Sequence, residues 1–355
     1  MMARPPATVS PRQLSIGGTL VGTDAPVFVI AEIGNTHEGS FGQAQALITT
    51  AAECGADAVK LQTHLAGAEM VEGAPFPPYF RPGETRRAYF DRIAFDELQY
   101  RDLSELAASL GVVLLSSPFS AEAVDVLDTV GISAYKVPSG EVTNLPYLDH
   151  LARTKKPVLL SSGMSSWEEL DRAVETIRRH HDQIVVLQCT SVYPCPPERV
   201  GLNVLGEMAA RYGSLVGLSD HTPTTSAALA AVTLGACVIE KHFTLSKRMY
   251  GPDPRFSLEP QAFTEMTKGI REIELALQHP VDKADLGDLA EMKAIFEKSI
   301  VAARDLPSGT IIALDDLTTK KPGTGLAPRL LPQLIGRRTT CFLGKDTLLT
   351  ETHLA

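Results

Sequence analysis

The sequence predicts an α/β fold: a (β/α)8 TIM barrel followed by a small, mostly β domain. Three observations carry this. Eight short apolar, β-branched runs alternate with helical segments over about 260 residues, the size and count of such a barrel. The runs show little in/out alternation, as strands buried on both faces do. Beyond residue 285 the chain becomes rich in Thr, Leu, Ile, Pro and Gly.

The candidate strands, in order, are Val27–Ile33, Asp57–Gln62, Val112–Ser117, Ala134–Val137, Val158–Ser161, Ile184–Gln188, Leu215–Ser219 and Cys237–His242. Helix signals lie between them. From Phe41 to Cys54 the apolar positions Ala44, Leu47, Ile48, Ala51 and Ala52 share one face at a 3.6 period. Asp96 is placed to cap a helix running to Leu110, with Gly111 to end it. Ser165 and Glu168 have capping-box spacing ahead of Leu170, Ala173 and Ile177. A doubly wound open sheet is the rival fold, but the first strand runs into Glu32-Ile33-Gly34-Asn35 rather than a glycine-rich phosphate loop. The long connection 63–95 carries Pro75, Pro77, Pro78 and Pro82 with several aromatics, the marks of a lid or binding loop.

Ala284 to Lys298 is charged and helical, so 1–285 is expected to form the barrel, 286–297 a linker and 298–355 the second domain. That domain holds a weak internal repeat in which Leu306 and Leu317 coincide with Leu343 and Leu354. So short a chain buries a small share of its surface alone, and is expected to dock on the barrel or on another subunit.

Composition excludes several classes. Asp and Glu total 42 against 33 Lys and Arg, a net charge of -9, the reverse of a nucleic-acid binder. The most apolar stretch, 227–239, is about 13 residues long, short of the roughly 20 that span a membrane. The N-terminal residues lack the apolar core of a secretory signal. Five cysteines with no CxxC spacing read as reduced thiols of a cytoplasmic protein. A soluble enzyme is what remains.

In such a barrel the active site gathers at the carboxyl ends of the strands. All eight are polar here. They supply Glu32; Lys60 and Gln62; Ser116 and Ser117; Lys136, Ser139 and Glu141; Ser161; Ser191 and Tyr193; Ser219 and His221; and Glu240, Lys241 and His242. One lysine at a strand end is often a solvated rim charge. Lys60, Lys136 and Lys241 aimed into the same mouth would make a local anion site in an acidic protein. His221 and His242 end consecutive strands, so their imidazoles, with waters and a substrate oxygen, suit an open site for Mn2+ or a similar divalent ion. No thiolate cluster completes a structural zinc site. His37 and His64 are weaker metal candidates. Tyr193, taken alone, reads as packing. Cys189 reads as a buried thiol, because no histidine is placed in sequence to activate it.

The strings AEIGNTHEGS (31–40), GADAVKLQTH (55–64), SSPFS (116–120), AYKVPSGEVTNLP (134–146), LSSGM (160–164), QCTSVYP (188–194), GLSDHT (217–222), IEKHFT (239–244) and GPDPRFSLEP (251–260) resemble the sialic acid synthase family. The C-terminal piece resembles its antifreeze-like (SAF) domain. The match runs in order over almost the whole chain from about residue 15. The resemblance implies condensation of phosphoenolpyruvate with N-acetylmannosamine or a related 2-acetamido sugar, with release of phosphate. It implies Mn2+ or Mg2+, held by His221 and His242. It also implies a domain-swapped homodimer, in which one subunit's SAF domain caps the other's barrel. Carried over by position, Lys60, Ser117, Lys136, Ser139, Ser161, Ser191 and Ser219 would hold phosphoenolpyruvate. Gln62, Glu141, Tyr193, Asp253 and Lys321 would hold the sugar, and Glu32 and Glu141 would stand near the reacting carbon.

Three departures concern the sugar end or its neighbourhood. The family's sugar-contacting asparagine in the 63–95 loop has no clear counterpart in Glu69–Phe80, Ser191 replaces another asparagine, and Lys321 stands where an arginine often precedes Pro-Gly. Lysine cannot make the planar two-pronged contact of arginine. A 6-deoxy-2,4-diacetamido sugar, giving legionaminic acid, is therefore a second expected acceptor; the Ser-Gly-Glu run at 139–141 speaks against a pseudaminic acid precursor. A Schiff-base aldolase using Lys136 is the rival of another class.

Overall fold

The computed structural model describes residues 13–80, 82–285 and 287–355. It begins with a hairpin, β1 (Gln13–Ile16) and β2 (Thr19–Gly22), which the sequence reading missed. Eight parallel strands follow and close a barrel: β3 (Phe28–Gly34), β4 (Ala58–Thr63), β5 (Val113–Pro118), β6 (Tyr135–Val137), β7 (Val158–Ser161), β8 (Ile184–Cys189), β9 (Leu215–Asp220) and β10 (Val238–His242). β10 pairs back onto β3.

The strands bury both faces, but in two different cores. Val29, Ala31 and Ile33 of β3 pack in the layer between strands and helices, whereas Phe28 and Ile30 belong to a smaller cluster inside the barrel. Leu14, Ile16 and Val21 of the hairpin join that inner cluster and plug the barrel at the amino ends of its strands. Two short strands of four residues gave no periodic signal long enough to read.

The helices follow their local signals. Ser40 caps Phe41–Glu53, whose Ala44, Leu47, Ile48 and Ala51 are buried. Asp96 and Gln99 form a capping box at the start of Glu97–Ser109, and Gly111 beyond it takes a φ of 77°. The box expected at Ser165 and Glu168 lies one residue on: Ser166 caps Trp167–Arg178 and Glu169 reaches back to it. The paired serines and paired glutamates offer both registers, and Ser165 instead turns its hydroxyl to the Gly163 carbonyl at 3.5 Å.

The 63–95 connection contains the short helix Ala66–Glu69 and the helix Arg86–Ile93. Ala66, Phe80, Tyr89, Phe90 and Ile93 give it a small core of its own.

The chain divides after His279 into two compact units. The second holds the helix Leu289–Phe296 and the antiparallel pair β11 (Ser299–Ala302) and β12 (Leu317–Lys320). Leu306 bridges Leu343, and all four repeat leucines lie in this unit's core. Among the described residues no helix is long and apolar enough to cross a membrane.

Candidate active site

Along most barrel strands the inward column is apolar at the amino end and polar at the carboxyl end. Ile30 precedes Glu32, Ala58 precedes Lys60 and Gln62, and Leu115 precedes Ser117. Ala134 precedes Lys136, Leu159 precedes Ser161, and Val238 precedes Glu240 and His242. The polar members open on one cavity of about 420 Å³. Ser139, Ser191, Tyr193, Ser219, His221 and Asp253 line it too. Glu141 is not among its lining residues; its carboxylate accepts from Asn144 Nδ2 at 2.8 Å. Lys321 lies in the second unit, just after β12, with Nζ 4.8 Å from the centre of the Phe296 ring.

Two glycines make room for this convergence. A Cβ on Gly163 would stand 2.3 Å from Ser191 Oγ and 2.4 Å from Ser139 Oγ. Gly34 adopts a φ of +55° at the bulge after Glu32, where a Cβ would meet Asp253 Oδ2 at 2.7 Å. That turn lets the Asn35 N–H donate to the same oxygen at 3.2 Å.

Two lysines and two carboxylates interlock at the centre. Lys60 Nζ lies 2.8 Å from Glu32 Oε2 and 3.6 Å from Glu240 Oε2. Lys136 Nζ lies 3.1 Å from Glu240 Oε1 and donates to Ser161 Oγ at 2.9 Å. Lys60 also donates to Ser117 Oγ at 3.0 Å, and Ser219 donates to Glu240 at 2.8 Å. Burial works against the Lys60 charge, but Glu240 and Glu32 outweigh it and raise its pKa. Burial likewise opposes the Glu240 charge, and Lys136 and Lys60 overcome it, holding that carboxyl at about 2. For Glu32 burial prevails: Lys60 offsets it only in part, Glu240 adds repulsion, and the pKa is raised. One carboxylate is thus held as a counter-ion and the other is pushed toward keeping its proton, a separation that suits acid–base roles.

The two histidines end β10 and follow β9, with ring centres 5.5 Å apart. His221 Nδ1 lies 2.8 Å from the Thr190 carbonyl, which can only accept, so Nε2 is the nitrogen left for the cavity, 3.1 Å from the Tyr193 hydroxyl. His242 Nδ1 is buried with no hydrogen-bond partner among the described residues. Burial, then His221, push the His242 pKa well down and keep the ring neutral. Burial also disfavours charge on His221, but Cys189 outweighs it and raises the pKa, so a cation there competes with a proton. An orphaned buried nitrogen beside a second imidazole fits an open divalent-ion site. Among the described residues no cluster of three or more His, Cys, Asp or Glu completes a closed one. His37 and His64 take no part: His37 stacks on Phe95, and His64 lies between Phe90 and Phe119.

The structure corrects the expectation for Lys241. An alternating strand turns it away from Glu240 and His242, and its ammonium is enclosed by Asp220 Oδ2 at 2.6 Å and the carbonyls of Thr222 and Thr224 at 2.6 and 2.8 Å. The mouth therefore holds two of the three expected lysines. Cys189 does have a histidine near it: Sγ lies 4.0 Å from His221 Nδ1, because adjacent strands join residues far apart in sequence. Burial pushes this thiol up, but His221 and Lys136 draw it down to about 6. Tyr193 is more than packing, since its ring lies 4.2 Å from that of His221 and its hydroxyl faces the same imidazole. Glu240 is named from the sequence only as a polar strand end and is given no role there; its place two before His242 puts it on the same face. The 63–95 loop adds an aromatic side with Phe76, Phe80 and Phe90.

The closed barrel and the polar cavity at its carboxyl ends define a (β/α)8-barrel enzyme with a small C-terminal β domain. The profile of the NeuB family matches residues 47–282 and that of the SAF domain matches 297–355. The chain belongs to the NeuB, or sialic acid synthase, family. It is 36% identical over 342 residues to an N,N'-diacetyllegionaminic acid synthase of Legionella pneumophila, covering 94% of this chain and 96% of that one. It is 33% identical over 340 residues to the human N-acetylneuraminate-9-phosphate synthase, covering 94% of each. Among solved structures, the spore coat polysaccharide biosynthesis protein SpsE of Bacillus subtilis superposes with a TM-score of 0.67 at 31% identity, covering 97% of this chain and 99% of that one.

Proposed function

We propose that the enzyme condenses phosphoenolpyruvate with a 2-acetamido sugar, N-acetylmannosamine or a relative, and water, giving a nine-carbon sialic acid and inorganic phosphate. The observation that carries this is the buried lysine–carboxylate quartet of Lys60, Lys136, Glu32 and Glu240 in one cavity. Lys60 and Lys136, with Ser117, Ser139, Ser161, Ser191 and Ser219, are suited to a substrate bearing phosphate and carboxylate. The enol carbon of phosphoenolpyruvate bonds to the aldehyde carbon of the sugar, whose oxygen takes up a proton. Positive charge grows at the neighbouring carbon, where Glu32 can meet it. Water adds there and passes a proton to Glu32. The tetrahedral intermediate then breaks its carbon–oxygen bond to phosphate, which leaves with the hydroxyl proton, its charge neutralised by the two lysines, and a keto acid remains.

His221 and His242 would hold Mn2+ or Mg2+, which would supply Lewis-acid polarisation of the aldehyde oxygen. Tyr193, Gln62 and Asp253 face the cavity where the sugar would lie; Glu141 and Lys321 are assigned to the sugar by family resemblance. A Schiff-base role for Lys136 is disfavoured by its ion pair with Glu240. A second acceptor, the 6-deoxy-2,4-diacetamido sugar, is favoured by the aromatic side of the cavity, where Phe76, Phe80 and Phe90 offer apolar surface to methyl groups. Phosphate release from phosphoenolpyruvate with each sugar, side by side and with Mn2+ present, tests both; no release with either sinks the proposal. The enzyme is further proposed to work as a cytoplasmic homodimer with exchanged SAF domains. Mixing Lys136→Ala and Lys321→Ala protomers should then restore activity that neither has alone.

A further inference from the structure

His64 follows Gln62 by two residues at the end of β4, and its ring is buried between Phe90 and Phe119, with centroids 3.8 and 4.1 Å away. Neither the phosphoenolpyruvate contacts nor the paired imidazoles use it. Both its nitrogens are engaged: Nδ1 lies 2.6 Å from Glu69 Oε2, and Nε2 lies 3.1 Å from Gln62 Oε1.

These partners decide where the hydrogens sit. Lys60 is 2.8 Å from Glu32 Oε2, and as the proton acceptor of the proposed reaction Glu32 is ionised, so both its oxygens accept. Gln62 must then turn its NH2 to Glu32 Oε1, at 2.8 Å, and its carbonyl oxygen to Asn35 Nδ2, at 2.9 Å, and to His64. That oxygen can only accept, so His64 Nε2 has to carry a hydrogen. A neutral imidazole has one N–H. With it on Nε2, a bare Nδ1 would face a carboxylate at 2.6 Å, which is repulsive unless a further proton lies between them.

Burial lowers the His64 pKa and Glu69 opposes it only in part, but the hydrogen-bond partners require that the His64–Glu69 pair hold one proton more than a neutral ring beside a free carboxylate. Without it, Glu69 would draw the single hydrogen to Nδ1. Nε2 would then oppose the Gln62 oxygen, and the amide would flip and present that oxygen to Glu32. The Glu69 side chain is 8% exposed, and Arg86 stands 3.6 Å from its other oxygen, so the pair is well enclosed.

We infer that His64 and Glu69 are positioning residues for the proposed reaction: they fix the Gln62 amide so that its N–H braces Glu32 toward the water it deprotonates. This rests on the reading of Glu32 as proton acceptor. NMR of protein carrying isotopically labelled histidine nitrogen, with His64→Gln to assign the ring, reports the state of Nε2 without turnover. A protonated Nε2 is expected; a bare one overturns the inference. In kinetics, His64→Leu should lower kcat for phosphate release about tenfold, the worth of a hydrogen bond to a charged group. The KM for phosphoenolpyruvate should stay within about twofold. His64→Gln, whose amide can donate to Gln62, should recover most of kcat. An unchanged kcat in His64→Leu, or no recovery in His64→Gln, overturns the inference. Failure of the wild type to release phosphate would instead sink the reaction itself, whatever the nitrogen spectrum shows.

Discussion

Glu240 and Lys241 are consecutive in β10, yet their charged ends finish on opposite faces of the strand. Glu240 Oε1 lies 3.1 Å from Lys136 in the cavity, and Lys241 Nζ lies 2.6 Å from Asp220 away from it. One step along the strand separates a side chain that lines the cavity from a brace of the barrel wall.

That difference is measurable. Lys241→Ala leaves the Asp220 carboxylate, 0% exposed, with no counter-ion among the described residues. Breaking one side of a buried pair costs about 3–5 kcal/mol. Urea unfolding should register most of this, and a loss below about 1 kcal/mol would place Lys241 among the surface charges.

Lys136→Ala should behave in the opposite way. Glu240 keeps Lys60 at 3.6 Å and Ser219 at 2.8 Å, so the fold persists, while phosphate release collapses. Full activity in this variant would remove Lys136 from the site.

Asp253 supplies a pH signature. Burial pushes its carboxyl up from 3.8 to about 6, against the pull of the Asn35 N–H. The folded chain therefore keeps a proton that the unfolded chain has released. The resulting stability is complete below the unfolded value and is lost as pH rises through about 6. Asp253→Asn, which cannot ionise, should gain in melting temperature relative to wild type between about pH 4 and pH 7. A constant difference across that window would mean that Asp253 is not shifted.

Removal of divalent ions should stop turnover, and Mn2+ should restore it. Because the His221 pKa is raised, protons compete with the ion, and the Mn2+ concentration needed should grow as pH falls. Indifference to chelators would free both histidines from this role.

Cys189 should be a marked thiol. In a Cys341→Ser background, which removes the exposed cysteine, iodoacetamide should react with it at a rate that climbs as pH passes about 6. Phosphoenolpyruvate should slow the reaction. Equal labelling with and without that ligand would separate the thiol from the bound substrate.

Much of the fold was legible because its signals are local. The eight strand positions, the helix Phe41–Glu53 and the Asp96 cap each rest on a few neighbouring residues, and each appears within a residue or two of its expected place. The β1–β2 hairpin was not legible: its strands are four residues each, and their apolar side chains matter only as a plug for a barrel built later in the chain. The leucine repeat was visible, but its purpose, a bridged pair inside one small core, was not.

The amino-acid order alone determined that polar residues would end every strand, since barrel connectivity brings all those ends to one rim. Which of them meet was decided by the tertiary structure. Alternation along β10 turned Lys241 out and Glu240 in, and closure of the barrel set Lys136 of β6 against Glu240 of β10, 104 residues apart. Charge pairing acts through distances of a few ångströms, and such distances between remote residues exist only once the ring of strands has closed.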